Sequence, residues 1–265
     1  MTEYVTSADG TRIAFDREGS GPPVILVDGA MQFRANDPAT RELAHQLAAH
    51  GFDVVNYDRR GRGDSPADPP ITLAKTIDDL AALIDLVTEG ADDAVALFGN
   101  SSGGAIALAA AAEGLPVSKI VAFEVPLDRE LGTSGADFLA GLRERIDSDD
   151  GDATVSYFMR DMPPEWLATA RASAEWPVLT RLGPSLEPDA EVLAWSQSAP
   201  RAELWAGVHQ PTLVLVGSSS LDLMGDAADS LVANLAHAER RDFDASAHRW
   251  DPRTLALEIA GFLVD

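Results

Sequence analysis

Short apolar runs alternate with amphipathic stretches along most of this chain. Val24 to Val27, Phe52 to Tyr57, Ala94 to Gly99 and Lys119 to Phe123 are compact runs rich in apolar residues, as expected of strands covered on both faces. Helical spacing fills the gaps. Residues 37–50 carry Leu43 and Leu47 four apart and stop at Gly51. Residues 72–88 put Leu73, Ile77, Leu80, Ile84 and Val87 on one stripe, and residues 102–112 form an alanine-rich helix. Ahead of them, Tyr4 to Ser7 and Arg12 to Arg17 flank Ala8-Asp9-Gly10, a hairpin signal. Alternation of this kind predicts βαβ units and a parallel sheet, with reactive groups gathered at the carboxyl ends of the strands. Asp28-Gly29, Asp58, Ser101 and Glu124 stand at such ends.

The alternation stops between residues 127 and 208, where helices and prolines follow one another without strands. It resumes with a strand at Pro211 to Gly217, a helix at Asp226 to Ala236, a charged and therefore edge-like strand at Ala238 to Phe243, and a final helix over residues 252–263. The reading is one α/β core, residues 1–126 and 209–265, interrupted by a helical lid at 127–208. Four of the five tryptophans (Trp166, Trp176, Trp195 and Trp205) lie in that insertion. Packing within the lid accounts for any one of them; four so close together point to one or two as a pocket wall.

Composition narrows the function classes. A net charge of −23 argues against nucleic acid and anionic membranes as partners, since both need basic patches. No apolar run approaches the roughly 20 residues of a membrane span. Met1-Thr2-Glu3-Tyr4-Val5 lacks the basic and apolar regions of a signal peptide, and cysteine is absent, which together fit a cytoplasmic protein. All but Lys75 and Lys119 of the 20 basic residues are arginine, a bias that suits a high-GC, actinobacterial genome. The sequence leaves a homodimer open.

Chemistry concentrates at Gly99-Asn100-Ser101-Ser102-Gly103, a G-x-S-x-G pattern between strand and helix. A serine that attacks a carbonyl must project from a sharp, strained turn. Side chains at 99 and 103 would strike the crossing strand and helix, and glycine removes them. The helix that follows points its N–H groups at the serine. Taken alone, the pattern fits equally a βα turn with a serine cap. There is no H-E-x-x-H, no phosphate-binding loop and no complete dinucleotide fingerprint, so neither a metal nor a cofactor is expected.

Read in order, the chain resembles the α/β-hydrolase superfamily. The features are Asp28-Gly29-Ala30 after the first core strand, the D-x-R-G-x-G-x-S loop of Asp58, Arg60, Gly61, Gly63 and Ser65, the serine elbow, the lid, and a histidine after the last strand. It is similar, more narrowly, to actinobacterial members with Asp-Gly in place of His-Gly and Trp-Pro in the lid, here Trp176-Pro177. The resemblance implies a mostly parallel eight-stranded sheet flanked by helices. It implies Ser101 as nucleophile and His248, alone of five histidines in following the last strand, as its base. The family's usual place for the acid is Ser220. That leaves Asp222, two residues on, or Glu124, where the haloalkane dehalogenase branch places its acid. Glu124 is favoured because a carboxylate set against an apolar strand needs a partner. The oxyanion donors would be the N–H groups of Ala30 and Ser102, and Met31, Trp166 and Trp176 would line the pocket.

Asp28 puts a carboxylate close to a site meant for negative charge. Arg59, Arg60 or Arg62 could neutralise it, although stabilisation of their own loop explains at least two of them. The leading expectation is a serine hydrolase acting on an ester, thioester or lactone of a medium-sized apolar or aromatic small molecule. The rivals are a lyase, cyclase or C–C bond hydrolase on the same fold, motivated by Ser220 and by the Asp-Gly loop, and a non-catalytic ligand-binding protein.

Overall fold

The computed structural model describes residues 2–89 and 94–264. Eight strands form a single sheet in the order β1-β2-β4-β3-β5-β6-β7-β8. β1 (Glu3–Thr6) and β2 (Arg12–Gly19) make the N-terminal hairpin, and β2 runs antiparallel to β4 (Asp53–Tyr57). The remaining pairs are parallel: β4 with β3 (Pro23–Val27), β3 with β5 (Val95–Asn100), then β6 (Val117–Phe123), β7 (Thr212–Ser219) and β8 (Ala238–Ser246).

The period of two along each strand divides the core between the two faces. Val24, Leu26, Val54, Phe98 and Val121 pack with Leu43 and Leu47 of α1 (Pro38–Ala49) and with Leu255 and Ile259 of α11 (Pro252–Val264). Their strand neighbours Ile25, Val27, Val55 and Leu97 face the other way. They meet Ile77, Leu80 and Ile84 of α2 (Leu73–Val87), the helix α3 (Ser102–Ala112), and Leu231 of α10 (Asp222–Asn234). α3 is apolar on every side, and Ser102 to Ala111 are all buried, so it sits inside the molecule rather than on it. α1 begins sharply because the Asp37 carboxylate accepts from the N–H groups of Ala39 and Thr40 and Pro38 occupies the first turn.

Between β6 and β7 the chain is helical. In order come α4 (Ser134–Asp147), α5 (Gly151–Phe158), α6 (Pro164–Ala172), α7 (Trp176–Arg181), a tight 3-10 turn (Gly183–Leu186), α8 (Glu187–Trp195) and α9 (Arg201–Leu204). This insertion has a small apolar centre built on Leu142, Val155, Phe158, Leu186 and Ala190. Among the described residues no helix is long and apolar enough to cross a membrane. Of the boundaries that differ from the sequence reading, two bear on the site. β8 continues to Ser246, and α10 starts at Asp222, four residues early. Asp222 therefore sits exposed in the first turn of a helix, where a carboxylate complements the helix dipole.

Candidate active site

Ser101 leaves the end of β5 with φ 55° and ψ −128°, a conformation that costs a non-glycine residue on the order of 1–3 kcal/mol. Its surroundings enforce the turn. The Ser101 N–H donates to the Phe123 carbonyl across the sheet at 2.8 Å, and the Gly104 N–H donates to the Ser101 carbonyl at 3.0 Å. A Cβ on Gly99 would lie 2.4 Å from Gly104 Cα, and one on Gly103 would lie 2.1 Å from the Val27 carbonyl oxygen. The glycines at both ends of the pattern are thus required by close backbone approach.

His248 follows β8, also at positive φ (62°). Its Nδ1 meets Glu124 Oε2 at 2.5 Å. Glu124 stands just past β6, 1% exposed, and its Oε1 accepts from the Gly217 N–H at 2.9 Å. Gly217 has to be bare there, because a Cβ would come within 2.6 Å of Oε1. Burial pushes the Glu124 carboxyl up, but the hydrogen bonds from His248 and Gly217 outweigh it and hold it below its usual range. An ionised Glu124 accepts from Nδ1–H, which leaves Nε2 as the basic nitrogen. The imidazole is flanked by the rings of Phe123, 5.9 Å away, and Trp166, 6.4 Å away. Met31, Ala247 and Glu124 also have positive φ. Among the described residues, five of the seven such non-glycine residues therefore gather at one end of the sheet, where strain of this kind is concentrated in functional sites.

Ser101 and His248 open onto one cavity of about 670 Å³ between sheet and lid. Ala30, Met31, Ser102 and Trp166 line it, with Phe138, Phe158, Met159, Met162 and Met224. Every methionine after Met1 is therefore in this wall, giving it flexible, polarisable side chains. The polar groups at the lid end are Asp128, Ser134 and Gln197. Arg160 also lines the cavity, with its Nε 3.0 Å from Asp161 Oδ2.

Two expectations are corrected. Trp176 lines a separate depression of the lid, with Ile146, Pro177 and Arg181, and is not among the residues of the Ser101 cavity; its Nε1–H donates to Asp152 at 2.9 Å. Asp222 is drawn into α10 and is not among the cavity residues; the carboxylate against His248 is that of Glu124. Two of the other tryptophans serve the main core: Trp205 is buried in it and Trp195 packs against it.

The arginines of the 59–62 loop do not reach the Asp28 carboxylate. Arg60 holds Asp79 (2.5 Å) and Asp9 (2.9 Å), while Arg59 and Arg62 hold Asp189 (2.7 and 2.6 Å). Asp28 is buried, and burial together with nearby Asp37 pushes its carboxyl up to about 8, against the pull of Arg62 and Arg59. The shift favours the protonated, uncharged form, which lessens the negative charge beside the Gly29–Ala30 loop.

Three residues of the site escaped the sequence reading. Gln32 Oε1 accepts from the Gly29 N–H at 2.8 Å and from Asn100 Nδ2 at 2.7 Å, and its Nε2 donates to Asp37 at 2.6 Å. It ties the Asp28–Ala30 loop to the end of β5 and to the start of α1. Asn100 was visible only as the neighbour of Ser101. Asp189 contacts Ser102 and Arg62 across 87 and 127 residues of chain, a separation at which no spacing rule applies.

Comparison with known proteins agrees with the fold. The model of the alpha/beta hydrolase family matches residues 29–261. A solved alpha/beta hydrolase from Sphaerobacter thermophilus is 33% identical, with a TM-score of 0.83 over 98% of this chain and 100% of that one. Among curated relatives, the "Probable oxidoreductase EphD" of Mycobacterium tuberculosis is 37% identical over 95 residues, which are 34% of this chain and only 15% of that protein. A zearalenone hydrolase from Bionectria ochroleuca is 31% identical over 114 residues, 42% of each chain.

Proposed function

This chain belongs to the alpha/beta hydrolase family, and on that premise we propose that it is a serine hydrolase cleaving an uncharged ester, thioester or lactone of medium size and apolar or aromatic character. One observation carries the reading: Ser101, held at a strained turn, shares a cavity with His248, whose Nδ1 is bonded to the buried Glu124 carboxylate.

The chemistry follows from these positions. The Ser101 hydroxyl attacks the carbonyl carbon, and His248 Nε2 takes its proton. Glu124 keeps the imidazole in the right tautomer and stabilises the imidazolium. The N–H groups of Ala30 and Ser102 receive the oxyanion. His248 returns the proton to the leaving oxygen or sulfur, and water activated by the same histidine releases the acid from the acyl-enzyme.

The wall of the cavity supports the substrate class. It is large enough for a drug-sized molecule, its methionine, phenylalanine and tryptophan side chains favour apolar or aromatic groups, and its arginine is paired with Asp161. A substrate carboxylate would meet the Asp128 and Asp161 carboxylates, and Arg160 already holds Asp161 through its Nε. The lyase and C–C cleavage readings drew on the lack of an acid at Ser220 and on the Asp-Gly loop; Glu124 against His248 speaks to the first motive alone. Strain at Ser101 argues against a mere binder, which gains nothing from it.

A panel of neutral aryl and alkyl esters and lactones tests the proposal. Wild type should turn over at least one class, and Ser101→Ala should lose roughly 10³- to 10⁶-fold in kcat. Near-normal turnover by Ser101→Ala would contradict the covalent mechanism.

A further inference from the structure

The lid meets the core at a charged knot directly behind the oxyanion donors. Asp189, on α8, is fully buried, as are Arg59 and Arg62. Asp189 Oδ1 accepts from Arg59 Nη1 at 2.7 Å and from the Ser102 hydroxyl at 2.6 Å; its Oδ2 accepts from Arg62 Nη2 at 2.6 Å. Arg62 reaches onward. Its Nη1 donates to the Gly29 carbonyl at 2.6 Å, and its Nε donates to the Ser185 hydroxyl at 3.1 Å, just ahead of α8.

The Gly29 carbonyl and the Ala30 N–H are the two edges of one peptide plane. A guanidinium fixed on the carbonyl therefore fixes the direction of the N–H and polarises it toward an incoming negative charge. The second donor, the Ser102 N–H, belongs to the residue whose hydroxyl is bound to the same Asp189 carboxylate. Both donors trace back to one lid side chain. Its charge matters as well as its shape, because two buried guanidiniums side by side repel unless a carboxylate lies between them.

We propose that Asp189 is the positioning residue of the oxyanion hole, setting the Ala30 and Ser102 N–H groups through Arg62 on one side and the Ser102 hydroxyl on the other. The proposal rests on Ser101 being the nucleophile. It makes the catalytic geometry of the core depend on a residue supplied by the lid.

The test compares wild type with Asp189→Asn, which keeps the shape and removes the charge, and with Ser102→Ala, which removes only the hydroxyl arm. Each is assayed for kcat and KM on a cleavable ester and for affinity toward a trifluoromethyl ketone and the methyl ketone of the same skeleton. The fluorinated ketone adds to Ser101: the Oγ–C bond forms, the carbonyl π pair moves to oxygen, and the hydroxyl proton goes to His248. It thereby reports the oxyanion hole, whereas the methyl ketone reports ground-state binding.

For Asp189→Asn, kcat and trifluoromethyl ketone affinity should fall together by about ten- to a hundredfold, with KM and methyl ketone affinity within about threefold of wild type. Ser102→Ala should move the same way by about three- to tenfold. A folded variant with wild-type kcat and wild-type affinity for the fluorinated ketone overturns the proposal. So does a loss shared equally by KM and both ketones, which is the mark of a merely structural clamp. Should Asp189→Asn fail to fold, Ser102→Ala decides by the same criteria. Wild type that takes no fluorophosphonate at Ser101 overturns the serine-hydrolase reading and this proposal with it; labelled wild type with unaffected variants overturns this proposal alone.

Discussion

Asp28 introduces the Gly29–Ala30 loop with its carboxyl buried beside Asp37 and Asp58 as well as Arg59 and Arg62, and burial above all pushes its pKa from 3.8 up to about 8. The folded protein therefore holds this proton more tightly than the unfolded chain. Its contribution to stability is complete below about pH 4 and is lost as pH rises through about 8, at close to 1.4 kcal/mol per unit in between. Relative to Asp28→Asn, wild type should lose stability across that window and run parallel above it; urea midpoints across pH would read this directly, and parallel curves throughout would contradict it. Activity should follow, since an ionised Asp28 opposes the oxyanion: the alkaline fall of kcat near pH 8 should flatten in Asp28→Asn. Glu124 behaves in the opposite sense, its carboxyl held down by His248 and Gly217. Glu124→Gln should lower kcat by about 10²- to 10⁴-fold, whereas Asp222→Asn, on the exposed first turn of α10, should stay within about twofold of wild type. The sequence pointed to Glu124 through a simple conflict, a carboxylate ending an apolar strand. It could not exclude Asp222, because the early start of α10 depends on tertiary packing.

At the level of elements, the sharp turn from β5 to α3 depends on two glycines that admit neighbouring backbone. Gly103→Ala forces a methyl group onto the Val27 carbonyl and should cost about 1–3 kcal/mol or more. Gly261→Ala, in α11 with nothing within 4 Å of the added carbon, should be neutral or stabilising by about 0.5–1 kcal/mol. Chemical denaturation of both variants separates the cases, and equal effects would contradict the packing account. Strands and helices of the core were legible because their hydrophobic periods are enforced by two covered sheet faces. The lid was legible only as helices. Which way its tryptophans face depends on partners the periodicity does not encode: Asp152 claims Trp176, the main core claims Trp205, and only Trp166 reaches the cavity beside His248.

For the molecule as a whole, a charge of −23 surrounds a cavity whose arginine is paired and whose far end carries Asp128. On the proposed function, anionic substrates should be disfavoured twice, by the long-range field and by desolvation next to Asp128 and Asp161. A neutral ester should exceed its carboxylate-bearing analogue in kcat/KM by about tenfold or more, and added salt should narrow the gap as it screens the field. A gap that is absent, or that widens with salt, would contradict this. The sign of the charge was plain from composition, but the pairing of Arg59 and Arg62 with Asp189 was not, since it joins loop and lid across more than a hundred residues. The central claim, an activated Ser101, is tested most directly by intact-mass spectrometry after incubation with a small fluorophosphonate, in which Oγ bonds to phosphorus and fluoride leaves. Wild type should gain the mass of one phosphonyl group and Ser101→Ala none. No adduct on wild type, or the same adduct on both, would contradict the claim.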